Sequence, residues 1–185
     1  QHLVESFTTT AKSANCIDIT KCDFTTKAGM RKYMLTGKML KCFRLAPTWT
    51  PLAFQAAETG LAAAPRSTAA PVKSCASEAA KRLGADAEHA MMAAGLAGGM
   101  GLSGNACGVL ATAIWLNTFE WVRENPGQPA FMNPKAEETM AAFFKLTDGE
   151  IACEKICGRS FADIEEHTEF IETGGCKHLI EKCTA

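Results

Sequence analysis

The hydrophobic pattern of this chain is that of short helices separated by turns. Met30, Met34 and Leu35 recur at helical spacing, and similar apolar stripes follow along the chain. No apolar or alternating run of normal strand length occurs after residue 30. The pattern therefore predicts an all-α protein, a bundle of short and medium helices with an irregular N-terminal arm.

The predicted arm covers residues 1–27, which are polar and rich in Thr and Ser. Its β-like pieces are too brief to form a sheet. It carries Cys16 and Cys22, whose spacing fits neither a C-x-x-C redox pair nor a usual zinc site. A local disulfide between Cys16 and Cys22 is the leading interpretation, and bystander thiols or metal ligands are the alternatives.

The next segment predicts two helices. Residues 28–45 form a basic amphipathic helix with Cys42 near its end. Pro47 and Pro51 then open a further helix, because proline is tolerated at a helix start. The Ala- and Pro-rich residues 62–72 are of low complexity.

These segments predict three parts. Residues 1–64 form the arm and a helical extension, residues 65–74 form a linker, and residues 75–185 form a cysteine-rich helical domain.

Local signals place the helix ends of that domain. Ser74 is the predicted N-cap of a helix that opens with Cys75, and Asp86 caps the next one. Asn133 precedes a proline at the start of another helix. A short helix bearing two cysteines ends at Gly158.

The uncharged, glycine-rich residues 95–114 are the centre of this domain. After Asn105 the pattern predicts a helix with Cys107 in its first turn, where a helix N-terminus lowers the pKa of a thiol. Gly99–Gly104 spell G-x-G-x-x-G, but no strand precedes them, so no nucleotide site is predicted. A membrane span is not favoured, because a glycine turn would expose backbone to lipid. A buried, purely structural cysteine is the simplest alternative.

The order of four cysteines resembles that of a known family. Cys75 opens a helix, Cys107 follows the glycine-rich turn, Cys153 precedes an I-C-G-R segment, and Cys176 opens the last helix. This arrangement resembles the C_GCAxxG_C_C family of redox-active proteins, over roughly residues 71–183. The central motif, Cys107–Thr112, departs from the family pattern at Val109 and Thr112.

The resemblance implies electron transfer or redox sensing through these four cysteines. They would hold an iron–sulfur cluster or another metal, because four thiolates suit either. Helix starts that converge on them would stabilise anionic sulfur. A relative of the family, split-Soret cytochrome c, carries haem, but this chain has no C-x-x-C-H attachment site, so haem is not predicted.

Disulfides are the competing hypothesis. The chain has nine cysteines, so at least one is free, metal-bound or joined to another molecule. Antiparallel helices would pair Cys157 with Cys176 and Cys153 with Cys183, and Cys75 with Cys107 would be a third bond. The protein would then be a stapled structural or accessory subunit of a larger assembly.

Charge and motifs exclude other classes. The formal net charge is −1, without a basic stripe, so no nucleic-acid partner is expected. Neither a G-x-S-x-G nor an H-E-x-x-H motif occurs, which disfavours a classical hydrolytic enzyme. A protein redox partner, a larger complex or a homo-oligomer is expected. His178, two residues after Cys176, is a candidate extra ligand, although an exposed helix position is the simpler interpretation. No signal segment is recognisable, and the compartment stays unknown.

Overall fold

The computed structural model describes residues 2–24, 26–63, 73–130 and 133–184. The chain divides into two compact units, Gln1–Thr68 and Ala69–Ala185, called here the N-terminal unit and the C-terminal unit. The predicted linker at residues 65–74 lies largely outside the described residues.

Regular structure in the described residues is helical throughout, which confirms the predicted all-α class. The helices of the N-terminal unit are α1 (His2–Ala11), α2 (Cys16–Thr20), α3 (Lys27–Leu35) and α4 (Lys38–Ala63). Those of the C-terminal unit are α5 (Cys75–Arg82), α6 (Ala87–Ala94), α7 (Ala97–Met100), α8 (Gly108–Glu124), α9 (Pro134–Leu146), α10 (Cys153–Cys157), α11 (Ile164–Glu172) and α12 (Lys177–Cys183). None of the described helices is both long and apolar enough to span a membrane.

The N-terminal arm is helical, so the prediction of an irregular segment is wrong in this part. Helices α1 and α2 occupy it, and α1 packs along α4. Phe7 of α1 meets Trp49 of α4 edge to face, with ring centroids 4.9 Å apart. Tertiary packing of this kind stabilises a Thr-rich helix that would be marginal in isolation.

The boundary between α3 and α4 also differs from the prediction. The expected helix at residues 28–45 breaks at Gly37, which adopts a positive φ of 69°. Pro47 and Pro51 lie inside α4 rather than at the start of a new helix. Each proline removes one backbone hydrogen bond, and the contacts of α1, α2 and α3 with α4 favour a continuous helix despite this loss.

Helix starts in the C-terminal unit follow the sequence signals closely. The Ser74 side chain accepts a hydrogen bond from the Ser77 backbone N–H, and the Ser77 side chain accepts one from the Ser74 N–H, which completes a capping box. Asp86 caps α6 by accepting from the His89 N–H. Asn133 caps α9, with proline at the first helical position.

The core of the C-terminal unit packs small side chains against larger aliphatic ones and the ring of Phe143. Ala76, Ala79 and Ala97 are buried against Val109 and the fully buried Phe143. Burial of one such phenylalanine stabilises the fold by roughly 1.5–3 kcal/mol. The alanines let α5, α7 and α8 approach closely, and the cysteines near their ends are buried with them.

Both departures from the family motif lie in this core. Val109 and Thr112 have no exposed surface. The Thr112 hydroxyl has no hydrogen-bond partner among the described residues. The turn of α8 after Cys107 is therefore packed by branched side chains.

Candidate functional site

Four helix starts meet in the C-terminal unit, and each carries one of the four predicted site cysteines. Cys75 is the first residue of α5 and Cys153 is the first residue of α10. Cys107 is the N-cap of α8, and Cys176 is the N-cap of α12 with a positive φ of 58°. Cys107 thus precedes its helix instead of lying in the first turn, which corrects the prediction by one position.

A fifth cysteine, Cys157, joins these four, and the set is called here the five-cysteine site. Cys75 and Cys107 lie in one buried cluster against which Cys176 packs. Cys153 is joined to the Cys107 loop by backbone hydrogen bonds, and Cys157 Sγ contacts the Sγ atoms of both Cys153 and Cys176. Cys75, Cys107 and Cys153 are buried, whereas Cys157 and Cys176 are partly exposed. The structure therefore brings the predicted residues together and adds one more.

Two loops clamp Cys107 and Cys153 beside each other. The Cys107 N–H donates to the Ile151 carbonyl at 2.9 Å, and the Cys153 N–H donates to the Asn105 carbonyl at 2.6 Å. These reciprocal bonds form an isolated bridge of β type, although the surrounding chain is helical. Residues far apart in sequence are thereby held in fixed register.

Glu150 shapes the loop that presents Cys153. Its carboxylate accepts hydrogen bonds from the Ile151 and Ala152 backbone N–H groups, both at 2.9 Å. It also pairs with Lys155 at 3.2 Å. The backbone N–H groups of Ala152 and Ile151 hold the pKa of Glu150 below its ordinary value, so the carboxylate stays charged.

Gly108 allows the backbone to pass beside the site. A Cβ atom at this position would lie 2.2 Å from the Leu96 carbonyl oxygen and 2.9 Å from its carbon. These are backbone atoms, which cannot move away cheaply. A residue without a side chain after Cys107 is therefore required for α8 to pack against α7.

Three thiols form a row along one side of the site. The Sγ atoms of Cys153 and Cys157 are 3.9 Å apart, and those of Cys157 and Cys176 are 3.7 Å apart. A disulfide has an S–S distance of about 2.05 Å, so these thiols are in contact but not bonded. All nine cysteines are free in this structure.

The partners of the predicted disulfides lie in different surroundings. The Sγ atoms of Cys157 and Cys176 are in contact. Cys183 lies in the core with Cys75 and Cys107. In the N-terminal unit, Cys22 is buried and Cys16 is exposed.

Burial dominates the acidity of the innermost thiols. It raises the pKa of Cys75 to about 12, against the effect of the nearby Gly98 backbone N–H. Burial also raises the pKa of Cys107, and the Leu110 and Val109 N–H groups at the start of α8 oppose this only in part. The Cys107 side chain makes no capping hydrogen bond. The prediction that the helix start lowers the pKa of Cys107 is therefore wrong in its net sign, because desolvation outweighs the helix end.

The surroundings of Cys157 lower the pKa of its thiol, in contrast to those of Cys75 and Cys107. Hydrogen bonds from Cys153 and then Cys176 lower the pKa of Cys157, and the positive charge of Arg159 acts in the same direction. The pKa values of Cys153 and Cys176 are raised in return, first by their interaction with Cys157 and then by burial. Of the three thiols in the row, Cys157 is the one that most readily carries the negative charge.

His167 is a site residue that sequence reasoning did not single out. It is 1% exposed, and its Nδ1 atom has no hydrogen-bond partner among the described residues. Its ring packs edge to face on Phe161, with centroids 5.0 Å apart. Its burial could have been predicted from its position one helical turn before the apolar Ile171, on the buried face of α11. The candidate ligand His178, by contrast, is exposed.

A cavity of about 450 Å³ gives access to one edge of the site. Cys157 and Cys176 line it, together with Lys177 and His178. Among the described residues, no three His, Cys, Asp or Glu side chains converge in an arrangement suited to a single metal ion.

The remaining cysteines lie in the N-terminal unit. The Cys42 thiol beside the Tyr33 hydroxyl raises the pKa of Tyr33, and the nearby Cys16 and Cys22 act in the same direction. These three cysteines lie outside the five-cysteine site in sequence and in unit.

Comparison with known proteins places the C-terminal unit in a family. The family described as "Putative redox-active protein (C_GCAxxG_C_C)" matches residues 72–185, well over half of the chain. A search of curated proteins and a search of solved structures each found no significant match. All residues of the five-cysteine site lie within the matched segment. The chain therefore belongs to the C_GCAxxG_C_C family of redox-active proteins.

Proposed function

We propose that the C-terminal unit carries out electron transfer or redox sensing with an iron–sulfur cluster held by Cys75, Cys107, Cys153 and Cys176. The observation that carries this proposal is that these four thiols lie at helix starts which pack together. Cys75, Cys107 and Cys176 share one cluster, and backbone hydrogen bonds hold the Cys153 loop beside the Cys107 loop. Thiolates are the usual ligands of iron–sulfur clusters.

The donor set fits such a cluster. The four candidate ligands are all thiols, and three of them are buried. The backbone N–H groups of Gly98 and Leu110 lie near Cys75 and Cys107, where they favour the thiolate. Hydrogen bonds to sulfur are one means by which proteins set a cluster's reduction potential.

The chain's own residues define what the site contributes. When bound, a cluster supplies a centre that accepts and returns one electron. The protein holds the thiolates and excludes water from three of them by burial. Because ligation needs thiolates and burial raises the pKa of Cys75 to about 12, loading must displace protons. Cluster binding is therefore expected to weaken as the pH falls.

The first test is the iron and sulfide content of anaerobically purified full-length protein, with its visible absorption spectrum. We expect sulfur-to-iron charge-transfer bands and stoichiometric iron, both lost in Cys107→Ser. Cys16→Ser, an exposed cysteine of the other unit, is the matched control and should retain them. Colourless, iron-free wild-type protein from the anaerobic preparation would overturn the proposal.

A disulfide-stapled structural or accessory subunit is the second candidate. The contact between the Cys157 and Cys176 Sγ atoms favours it. Thiol counting on the same sample separates the two candidates. A staple predicts eight of the nine cysteines blocked and no iron, whereas the iron–sulfur proposal predicts that the four ligand thiols become reactive after iron is removed.

A further inference from the structure

We infer that Cys157 and Cys176 form a reversible dithiol–disulfide pair that exchanges with a small zwitterionic disulfide bound in the cavity beside them. The inference rests on the proposed function in placing Cys176 at a redox site. It goes further by assigning an activity to Cys157, which is outside the family's four cysteines, and a ligand class to the cavity.

The distance between the two thiols supports direct bond formation. Their Sγ atoms are 3.7 Å apart, so a bond of about 2.05 Å requires an approach of about 1.7 Å. Cys157 is the last residue of α10, and Cys176 lies in the turn before α12. Both thiols therefore lie at the ends of their helices, and both are partly exposed.

Accessibility selects this pair from the row of three. Cys157 and Cys176 line the cavity and are partly exposed, whereas Cys153 is buried at 4% exposure. Cys157 stands between the other two thiols, at 3.9 Å from Cys153 and 3.7 Å from Cys176. A mixed disulfide formed on Cys157 therefore has the partly exposed thiol of Cys176 within reach.

The cavity has the size and charges of a small-molecule site. Its volume of about 450 Å³ lies in the range usual for such ligands. Glu150 and Lys155 on its wall pair with each other at 3.2 Å. Asp148 and Lys177 also line it, and neither forms an ion pair with another described residue. One free carboxylate and one free ammonium group suit a ligand that carries both charges, such as an amino-acid or peptide disulfide.

The exchange balances without any further reagent. The Cys157 sulfur attacks one sulfur of the bound disulfide, forms a mixed disulfide and releases one thiolate, which takes the proton of Cys157. The Cys176 sulfur then attacks the Cys157 sulfur, forms the internal disulfide and releases the second thiolate, which takes the proton of Cys176. Two protein thiols are oxidised by two electrons, and the small disulfide is reduced to two thiols.

The pair also limits the use of Cys176 as a ligand. A sulfur that is bonded to Cys157 cannot ligate a metal at the same time. The disulfide form and a form with all four family cysteines ligated therefore exclude each other.

The test exposes the reduced full-length protein to glutathione disulfide and maps disulfides by peptide mass spectrometry. We expect a Cys157–Cys176 bond that is reversed by excess glutathione. Cys176→Ser should accumulate glutathione on Cys157, whereas Cys157→Ser should form no internal disulfide. Circular dichroism of each variant checks that it folds.

Lys177→Met tests the cavity separately from the thiols. Loss of one exposed ion pair should slow oxidation by glutathione disulfide about twofold to fivefold. Oxidation by the uncharged hydroxyethyl disulfide should not change, which makes that reagent the matched control. If Lys177→Met changed the rate of oxidation, relative to the wild type, by the same factor with both reagents, the assigned ligand class would be contradicted.

Two results would overturn the thiol pairing. One is wild-type protein in which Cys157 and Cys176 stay free in oxidising glutathione buffer. The other is a bond from Cys157 to Cys153 instead of Cys176. Iron content is measured on the same samples. Absence of iron would count against the iron–sulfur proposal alone, whereas absence of the Cys157–Cys176 bond would count against this inference alone.

Discussion

At the scale of single residues, an uncharged histidine buried beside a thiol links stability to pH. Burial lowers the pKa of His167, and the negative charge of Cys157 only partly opposes this. The unfolded chain therefore binds a proton at this side chain at a pH where the folded chain does not. The resulting stability is fully present above about pH 6.5, the unfolded value, and is lost as the pH falls through the folded pKa.

We predict that His167→Phe flattens the dependence of unfolding free energy on pH between pH 5 and pH 7. One histidine contributes a slope of at most about 1.4 kcal/mol per pH unit. Denaturant unfolding at several pH values measures this slope. Asp86 and Glu150, whose pKa values are lowered from 3.8 and 4.5, titrate below this window. The exposed His178→Phe is the control, and a slope that responds equally to both substitutions would contradict the assignment.

At the scale of elements, the packing of α7 against α8 depends on backbone contact at Gly108. The Leu96 carbonyl occupies the space that a side chain would need. This contact sets where α8 begins, and therefore where Cys107 lies relative to Cys75 and Cys153.

We predict that Gly108→Ala destabilises the protein by about 1–3 kcal/mol or more, because overpacking forces the backbone apart. The variant should also lose iron or alter Cys107 reactivity. Gly95→Ala is the matched control in the same segment, since its Cβ would lie 3.7 Å from the nearest atom and its φ is −64°. Gly95→Ala should be neutral or stabilise by about 0.4–1 kcal/mol. Thermal unfolding of both variants tests this prediction. An unchanged Tm for Gly108→Ala would refute the close approach of Gly108 to the Leu96 carbonyl.

At the scale of the whole molecule, the family match and the five-cysteine site both lie in the C-terminal unit. That unit contains its own hydrophobic core and all residues of the five-cysteine site. A unit with its own core is expected to fold independently.

We predict that a fragment comprising residues 69–185 unfolds cooperatively and reproduces the iron content and thiol reactivity of the full chain. Calorimetry and thiol titration on the fragment measure both properties. A fragment that binds a dye for exposed apolar surface and shows no cooperative transition would contradict this prediction.

Local signals in the sequence were sufficient for the ends of several helices. Ser74, Asp86 and Asn133 cap the predicted helices, and Gly158 ends α10 with a positive φ of 68°. Caps and left-handed glycines act within a few residues, so their effect can be predicted without knowledge of the fold. The family cysteines could likewise be identified from their order along the chain.

Features that depend on contact between distant segments were decided only by the tertiary structure. Helix α1 forms where a polar arm was predicted, because Phe7 packs on Trp49, and α4 continues through Pro47 and Pro51. The contact of Cys157 with Cys176 and the burial of His167 also arise from packing between separate helices. Residue spacing along one helix does not specify which other helix it meets. The sequence by itself therefore determined the helical class, the caps and the four family cysteines. The tertiary structure alone decided which thiols touch and which of them are buried, because desolvation and contact depend on the whole fold.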